Sequence, residues 1–364
     1  MSTAWATNLW CCTALCCLAC AGSAAAATDP FIRAADHAAA SVRAATPFNW
    51  GEGVLMYGLL DAWRATKDDR YLAAVRRWAD HHSSKSLLPL LRKRGYCGHW
   101  GPGTPAVLLY EHTGEARYLK AAAEIRHFIR DKATRTTEGA LGHWRGNVQI
   151  WVDTLCMVCP TFARYSVAAK DPTALDDAVK QLEIAARHLR DEKTGLFYHM
   201  WDERTGRHSQ GFWGRGNGWV IISLVDVLEV LPKEHPSRER LRKVLASQIR
   251  GLVPHQAPSG MWRTVVDRDD AYEETSATAM IVYGIAKAMH LKLIDGDHAA
   301  RLRKAWAALE KQVDEKGVVL GTSAGTGPRG IEHYLSCPRG EYTWGTGAFL
   351  LAGARLRQMG LAKP

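Results

Sequence analysis

Two kinds of helical segment alternate along this chain, and that alternation leaves few folds open. Charge-laced amphipathic stretches begin near Pro30, Asp69, Glu115, Pro172, Pro236 and Asp297. Each is followed by an apolar stretch rich in small residues, at 53–65, 104–112, 151–168, 217–231, 276–291 and 342–359. A helix with one polar face lies on a surface, whereas one that is apolar all round is buried. Six such pairs in series imply an outer ring wrapped around an inner ring, an all-α (α/α)6 six-hairpin barrel. Strand signals are short and confined to loops, at 195–200 and 317–320. The 364 residues, 47% of them hydrophobic, suffice for one large core, so residues 28–364 are expected to form a single barrel domain.

The first 28 residues carry no charged side chain, and an apolar run from Leu9 to Cys20 leads into Ala21–Ala27. This reads as an export signal, residues 1–27, cut after Ala27, which implies a periplasmic or secreted protein. Lipid anchoring at Cys20 is the weaker alternative, because Cys17 stands where a lipobox prefers Leu. No later run reaches the roughly 20 apolar residues of a membrane span. Outside the leader only Cys97, Cys156, Cys159 and Cys337 remain. Cys156 and Cys159 form a CxxC in the apolar run 155–162 without neighbouring His or acids, so core packing is expected rather than metal binding. The formal charge of +10 favours anionic partners. The basic residues are mostly interleaved with acids, with Arg92-Lys93-Arg94 the one dense run, so an acidic polysaccharide is expected rather than nucleic acid.

Alternation also fixes where function belongs, because every outer-to-inner connection emerges at the same end of the ring. Those connections carry Asn49-Trp50, His99-Trp100, His143 with Trp151 and Asp153, the run Trp213-Gly-Arg-Gly-Asn-Gly-Trp219, the segment 262–276, and Tyr342 with Trp344. Indole faces suit sugar rings, and the Arg215 fork suits a carboxylate. Trp50, His99, His143, Trp151, His199, Trp213, Arg215, Asn217, Trp219 and Trp344 are therefore candidate sugar-binding residues. Asp153 opens the third inner helix among apolar neighbours. It is either a helix cap, ionised by backbone N–H groups, or a working acid whose pKa burial beside Trp151 would raise. Glu273, before Thr275-Ser276, looks most like a second helix-start acid.

The motifs Trp151-Val-Asp-Thr-Leu-Cys-Met, Trp213 to Trp219, Glu274-Thr-Ser-Ala-Thr-Ala-Met280 and Gly321-Thr-Ser-Ala-Gly-Thr-Gly327 together resemble glycoside hydrolase families 88 and 105, the unsaturated glucuronyl and rhamnogalacturonyl hydrolases. The resemblance runs from about Phe48 to Leu356 and implies the same barrel. It places the general acid/base on Asp153 and sugar contacts on His143, Trp151, His199, Trp213, Arg215 and Trp219. It further implies hydration of the C4–C5 double bond of a terminal unsaturated uronic acid, with no metal or other cofactor. One position departs: a second Asp usual before the second inner helix is Gly98 here, in Cys97-Gly-His-Trp-Gly-Pro-Gly103. His99 and Glu52 are the nearby candidates to stand in for it.

Three readings follow. The first is a hydrolase acting on unsaturated uronyl oligosaccharides of pectin type. The second is an inverting β-glucuronidase on saturated uronides, using Asp153 and a carboxylate such as Glu273. The third is a barrel that binds acidic oligosaccharides without turnover.

Overall fold

The structure, a computed structural model, describes residues 29–363; the expected leader lies outside the described residues. Six outer helices alternate with six inner ones. The outer set is α1 (Pro30–Ser41), α3 (Asp69–Ser83), α6 (Ala116–Lys132), α8 (Pro172–His188), α10 (Arg238–Leu252) and α12 (Ala299–Glu310). The inner set is α2 (Trp50–Thr66), α5 (Gly103–Thr113), α7 (Val152–Ala168), α9 (Gly214–Val230), α11 (Thr275–His290) and α14 (Thr343–Gln358). Short helices α4 (Leu88–Arg92) and α13 (Ile331–Leu335) sit in the connections. Inner helices pack in the cycle α2, α5, α7, α9, α11, α14 and back to α2, closing an (α/α)6 barrel.

The physical basis is the one the sequence suggested. Helices α9 and α11 are buried on every face over 214–228 and 275–288. Outer helices bury one stripe, such as Tyr71, Val75 and Trp78 of α3. Closure between the first and last repeats depends on glycine. A Cβ at Gly58 would lie 2.4 Å from the Gly347 carbonyl oxygen, and one at Gly347 would lie 2.4 Å from that of Val54. Only bare backbone lets α2 and α14 approach this closely.

Strands occupy the rim. β1 (Gln149–Trp151), β2 (Met200–Asp202) and β3 (Arg207–His208) form an antiparallel sheet in which Trp151 pairs with Met200. β4 (Thr322–Ser323) pairs with β5 (Arg339–Gly340). These strands fall later than the expected 195–200 and 317–320: the first stretch meets β2 only at Met200, and otherwise the two contribute the isolated bridges Arg190 to Phe197 and Val313 to Val319. Tight turns, with the Gly195 N–H on Asp191 and the Gly317 N–H on Asp314, leave room for little further pairing there.

Far from the rim, the inner helices meet around buried charge. Lys287 Nζ lies 2.6 Å from Asp226 and 2.7 Å from Glu229, while the Tyr57 and Tyr283 hydroxyls donate to Asp226 at 3.1 and 3.2 Å. Arg164 reaches Glu229 at 3.0 Å. Removing one partner from such a group strands the other in a low-dielectric interior. Lys287→Met is therefore expected to cost about 3–5 kcal/mol, measured by urea unfolding. A loss below about 1 kcal/mol would show that Asp226 is not held by this lysine.

Candidate active site

At the rim the connections enclose a cavity of about 330 Å³. Trp50 from the first repeat, Tyr96 and Gly98 from the second, Trp144 and Trp151 from the third, Trp213 from the fourth and the 325–327 backbone from the sixth form its wall. Among the described residues Asp153 is the sole carboxylate lining it. The two open alternatives for Asp153 separate here. Trp151 occupies the cap position of α7 with no side-chain cap bond, and Asp153 turns instead to His199, whose Nε2 lies 2.9 Å from Oδ2.

The rim sheet makes that contact. Val152 N–H donates to the His199 carbonyl at 3.1 Å, so β1 and β2 carry Asp153 and His199 side by side. His199 is fully buried. Its ring stacks on Trp213 at 4.2 Å, meets Trp151 edge-on at 5.4 Å, and its Nδ1 contacts the Tyr334 hydroxyl at 3.1 Å. With an ionised Asp153, Nε2 must carry the proton and donate. Burial pushes Asp153 up, but the attraction and hydrogen bond of His199, then His143 and Arg215, outweigh it, and the net shift is downward. The carboxyl is thus held below its usual range, opposite to the rise expected from sequence, because burial beside Trp151 is outweighed by the hydrogen bond and attraction of His199 and its neighbours.

His143 lies in the wall, stacked on Trp151 at 4.2 Å, with Nδ1 near Thr154 Oγ1 at 3.1 Å and Cys97 Sγ at 3.2 Å. Burial pulls its pKa to about 4, against Asp153, so it is neutral at ordinary pH. Burial pushes the Cys97 thiol up, keeping it protonated. The Trp151 indole N–H donates to Gln149 at 3.0 Å, which fixes the ring.

Several candidates take other places. Asn217 is fully buried and braces a loop, accepting from Phe197 N–H at 2.9 Å and donating to the Phe197 and Trp213 carbonyls at 3.0 Å each. Trp219 is buried beneath Trp50, edge to face at 6.2 Å, because one helical turn carries it past the wall. Arg215 touches the cavity, but its fork is committed. Nη1 donates to the Ser323 carbonyl at 3.0 Å, and Nη2 to the Ala324 carbonyl at 2.9 Å and Thr326 Oγ1 at 3.0 Å. It therefore holds the sixth loop over the cavity instead of presenting a free clamp. Its guanidinium stacks 4.5 Å from Trp213. Trp344 backs Trp50 at 4.4 Å and donates to Ser323. His99 lines a neighbouring hollow. The helix-start acid of α11 is Glu274, not Glu273: Glu274 is buried and accepts from Ser276 and Ala277 N–H. Cys159 is buried and Cys156 half-buried, and both are free.

At Gly98 the departure from the family pattern has a physical counterpart. A Cβ there would meet the Tyr96 ring at 2.3 Å and Asn49 Oδ1 at 2.9 Å, so an aromatic ring fills the room a larger side chain would need. Glu52 turns to Thr343 and does not fill the gap. Tyr96, Trp144 and Tyr334 escaped the sequence reading. Trp144 is adjacent to His143 and Tyr96 to Cys97, and that adjacency was the available signal.

The Asp153–His199 bond yields a direct expectation. In His199→Gln the burial of Asp153 remains while the attraction of the imidazole is lost, so the Asp153 carboxyl should titrate at higher pH than in the parent. Infrared difference titration against Asp153→Asn reads this, and an unmoved titration would show that His199 does not set the carboxyl's proton affinity.

The family model of Glycosyl Hydrolase Family 88 matches residues 24–359. The unsaturated rhamnogalacturonyl hydrolase YesR of Bacillus subtilis is 31% identical over 312 residues, 83% of this chain and 88% of that one. A family 105 glycoside hydrolase from C. acetobutylicum superposes with TM-score 0.81 at 27% identity, over 90% of this chain and 99% of that one. A possible family 105 member from Klebsiella pneumoniae gives TM-score 0.79 at 27% identity, over 86% and 83%. With its barrel, its rim site and a family match spanning nearly the whole length, the chain belongs to glycosyl hydrolase family 88 and is a glycoside hydrolase.

Proposed function

We propose that this enzyme releases a terminal 4,5-unsaturated uronic acid from lyase-generated oligosaccharides by hydrating the C4–C5 double bond. The observation that carries the proposal is the lone carboxylate in the cavity wall, hydrogen-bonded to a buried histidine. Paired-carboxylate hydrolysis by inversion needs a second carboxyl about 6.5–9.5 Å away. The cavity lining offers none among the described residues, which disfavours the saturated β-glucuronide reading. The names of relatives support the substrate class: rhamnogalacturonyl for YesR, and rhamnoglycuronyl for an Alteromonas hydrolase 30% identical over 224 residues.

The chemistry follows from charge. Five inner helices start at the rim without a side-chain cap bond, so their N–H groups and dipoles favour an anion there. A uronate entering beside Asp153 adds negative charge and raises the carboxyl's proton affinity, offsetting His199. Protonated Asp153 then delivers its proton to C4 as the double-bond electrons form the new C–H bond, leaving a cation at C5 that the ring oxygen stabilises. The Asp153 carboxylate next takes a proton from water as the water oxygen bonds to C5. The hemiketal so formed opens, and the remaining sugar leaves from C1.

Asp153→Asn should lose turnover by about 10³-fold or more while keeping its fold, read as disappearance of the conjugated-alkene absorbance from lyase-treated pectin. Turnover retained in this variant would overturn the assignment. Persistent sugar affinity without turnover in the parent would favour a binding barrel.

A further inference from the structure

Beside the Asp153 cavity lies a second hollow of about 800 Å³ that shares Tyr96 and Trp144 with it as common walls. Its polar lining is Lys93, Arg94, His99 and Arg145, with no carboxylate. Several surface arginines elsewhere are matched to acids: Arg70 with Asp68, Arg76 with Glu115, Arg187 with Glu138, Arg240 with Glu183. No acid within ion-pair distance faces Lys93, Arg94 or Arg145 among the described residues. Arg145 instead ties the two loops together, its backbone N–H donating to the Arg94 carbonyl at 2.8 Å and its guanidinium to that of Arg92 at 2.7 Å. The dense basic run of the sequence is thus fixed in place and left without counter-charge.

Two further observations point to a sugar. Trp144, 40% exposed, lines both hollows and is held edge-to-face by His143 and Trp151 at 5.2 and 5.3 Å. His99 Nδ1 is buried with no hydrogen-bond partner. Burial, then Lys93, pulls His99 down, so it meets a ligand as a neutral ring.

We propose that this hollow is the leaving-group subsite and that it takes an anionic sugar, carrying a carboxylate or a sulfate, beyond the uronate held at Asp153. The proposal rests on the hydration reading for the orientation of the chain: the uronate end in the smaller cavity, the remainder running past Trp144 and Tyr96 into the basic hollow.

The test uses Lys93→Glu combined with Arg94→Asn, Asn being chosen because residue 94 holds φ near +61°. Three unsaturated disaccharides are compared by alkene absorbance: one with a neutral second sugar, and two whose second sugar bears either a carboxylate or a sulfate. The parent is expected to favour at least one anionic substrate by about ten-fold in kcat/KM at low salt, with the preference shrinking as salt screens it. The double variant should lose that preference while its rate on the neutral disaccharide stays within about two-fold. The carboxylate and sulfate arms identify which anion is selected. In parallel, tryptophan fluorescence follows binding of a saturated oligogalacturonate, which no hydration step can consume. Equal selectivity in parent and variant, with binding insensitive to salt, would overturn the subsite. No turnover on any unsaturated substrate, with salt-sensitive binding that the variant abolishes, would overturn the hydration reading and leave the basic subsite standing.

Discussion

An antiparallel ring of alternating outer and inner helices imposes a parity on the chain: every inner helix points its N-terminus at the same rim. Everything functional here descends from that constraint. It brings the outer-to-inner connections of all six repeats to one mouth, and it aims the positive ends of six helix dipoles there. Ring closure enforces it, and closure depends on the glycine seam where Gly58 and Gly347 let α2 and α14 touch backbone to backbone. Further along the inner helices, Lys287 is paired with Asp226 and Glu229.

Within the mouth, electrostatics are organised in layers. Asp153 faces the cavity, and His199 behind it holds the carboxyl down against the opposing effect of burial. His199 is in turn fixed by Trp213 and the Tyr334 hydroxyl. Arg215 lies two residues from Trp213 and spends its Nη donors on the sixth loop, so a cation is present near the carboxyl but is tied to that loop. Such a site is primed to respond to an incoming anion, because the added charge acts on a carboxyl already balanced between opposing influences.

The helices were legible in the sequence because total apolar burial is a strong pattern. Helix α9 begins at Gly214 where 217 was expected, and α11 at Thr275 where 276 was expected. The placement of Asp153 at the cavity was legible too, from a lone carboxylate in an apolar helix start. Its proton affinity was not, since that depends on His199, 46 residues later in sequence, brought alongside by the β1–β2 register. Nor could the run 213–219 be divided: Trp213 and Arg215 reach the wall, while Asn217 and Trp219 turn inward to brace Phe197 and support Trp50. Tyr96 over Gly98 was invisible for the same reason, as ring placement in a loop is decided by what packs on it.

The central claim is that the reaction begins by protonating C4 of an unsaturated uronate rather than by attack at the glycosidic carbon. Turnover of a lyase-generated disaccharide in D2O, followed by proton NMR from the earliest time points, tests this directly. The account predicts that the alkene C4 signal disappears with one deuterium entering at C4 before or together with release of the second sugar. Release of that sugar while the C4–C5 double bond persists in the product would contradict it.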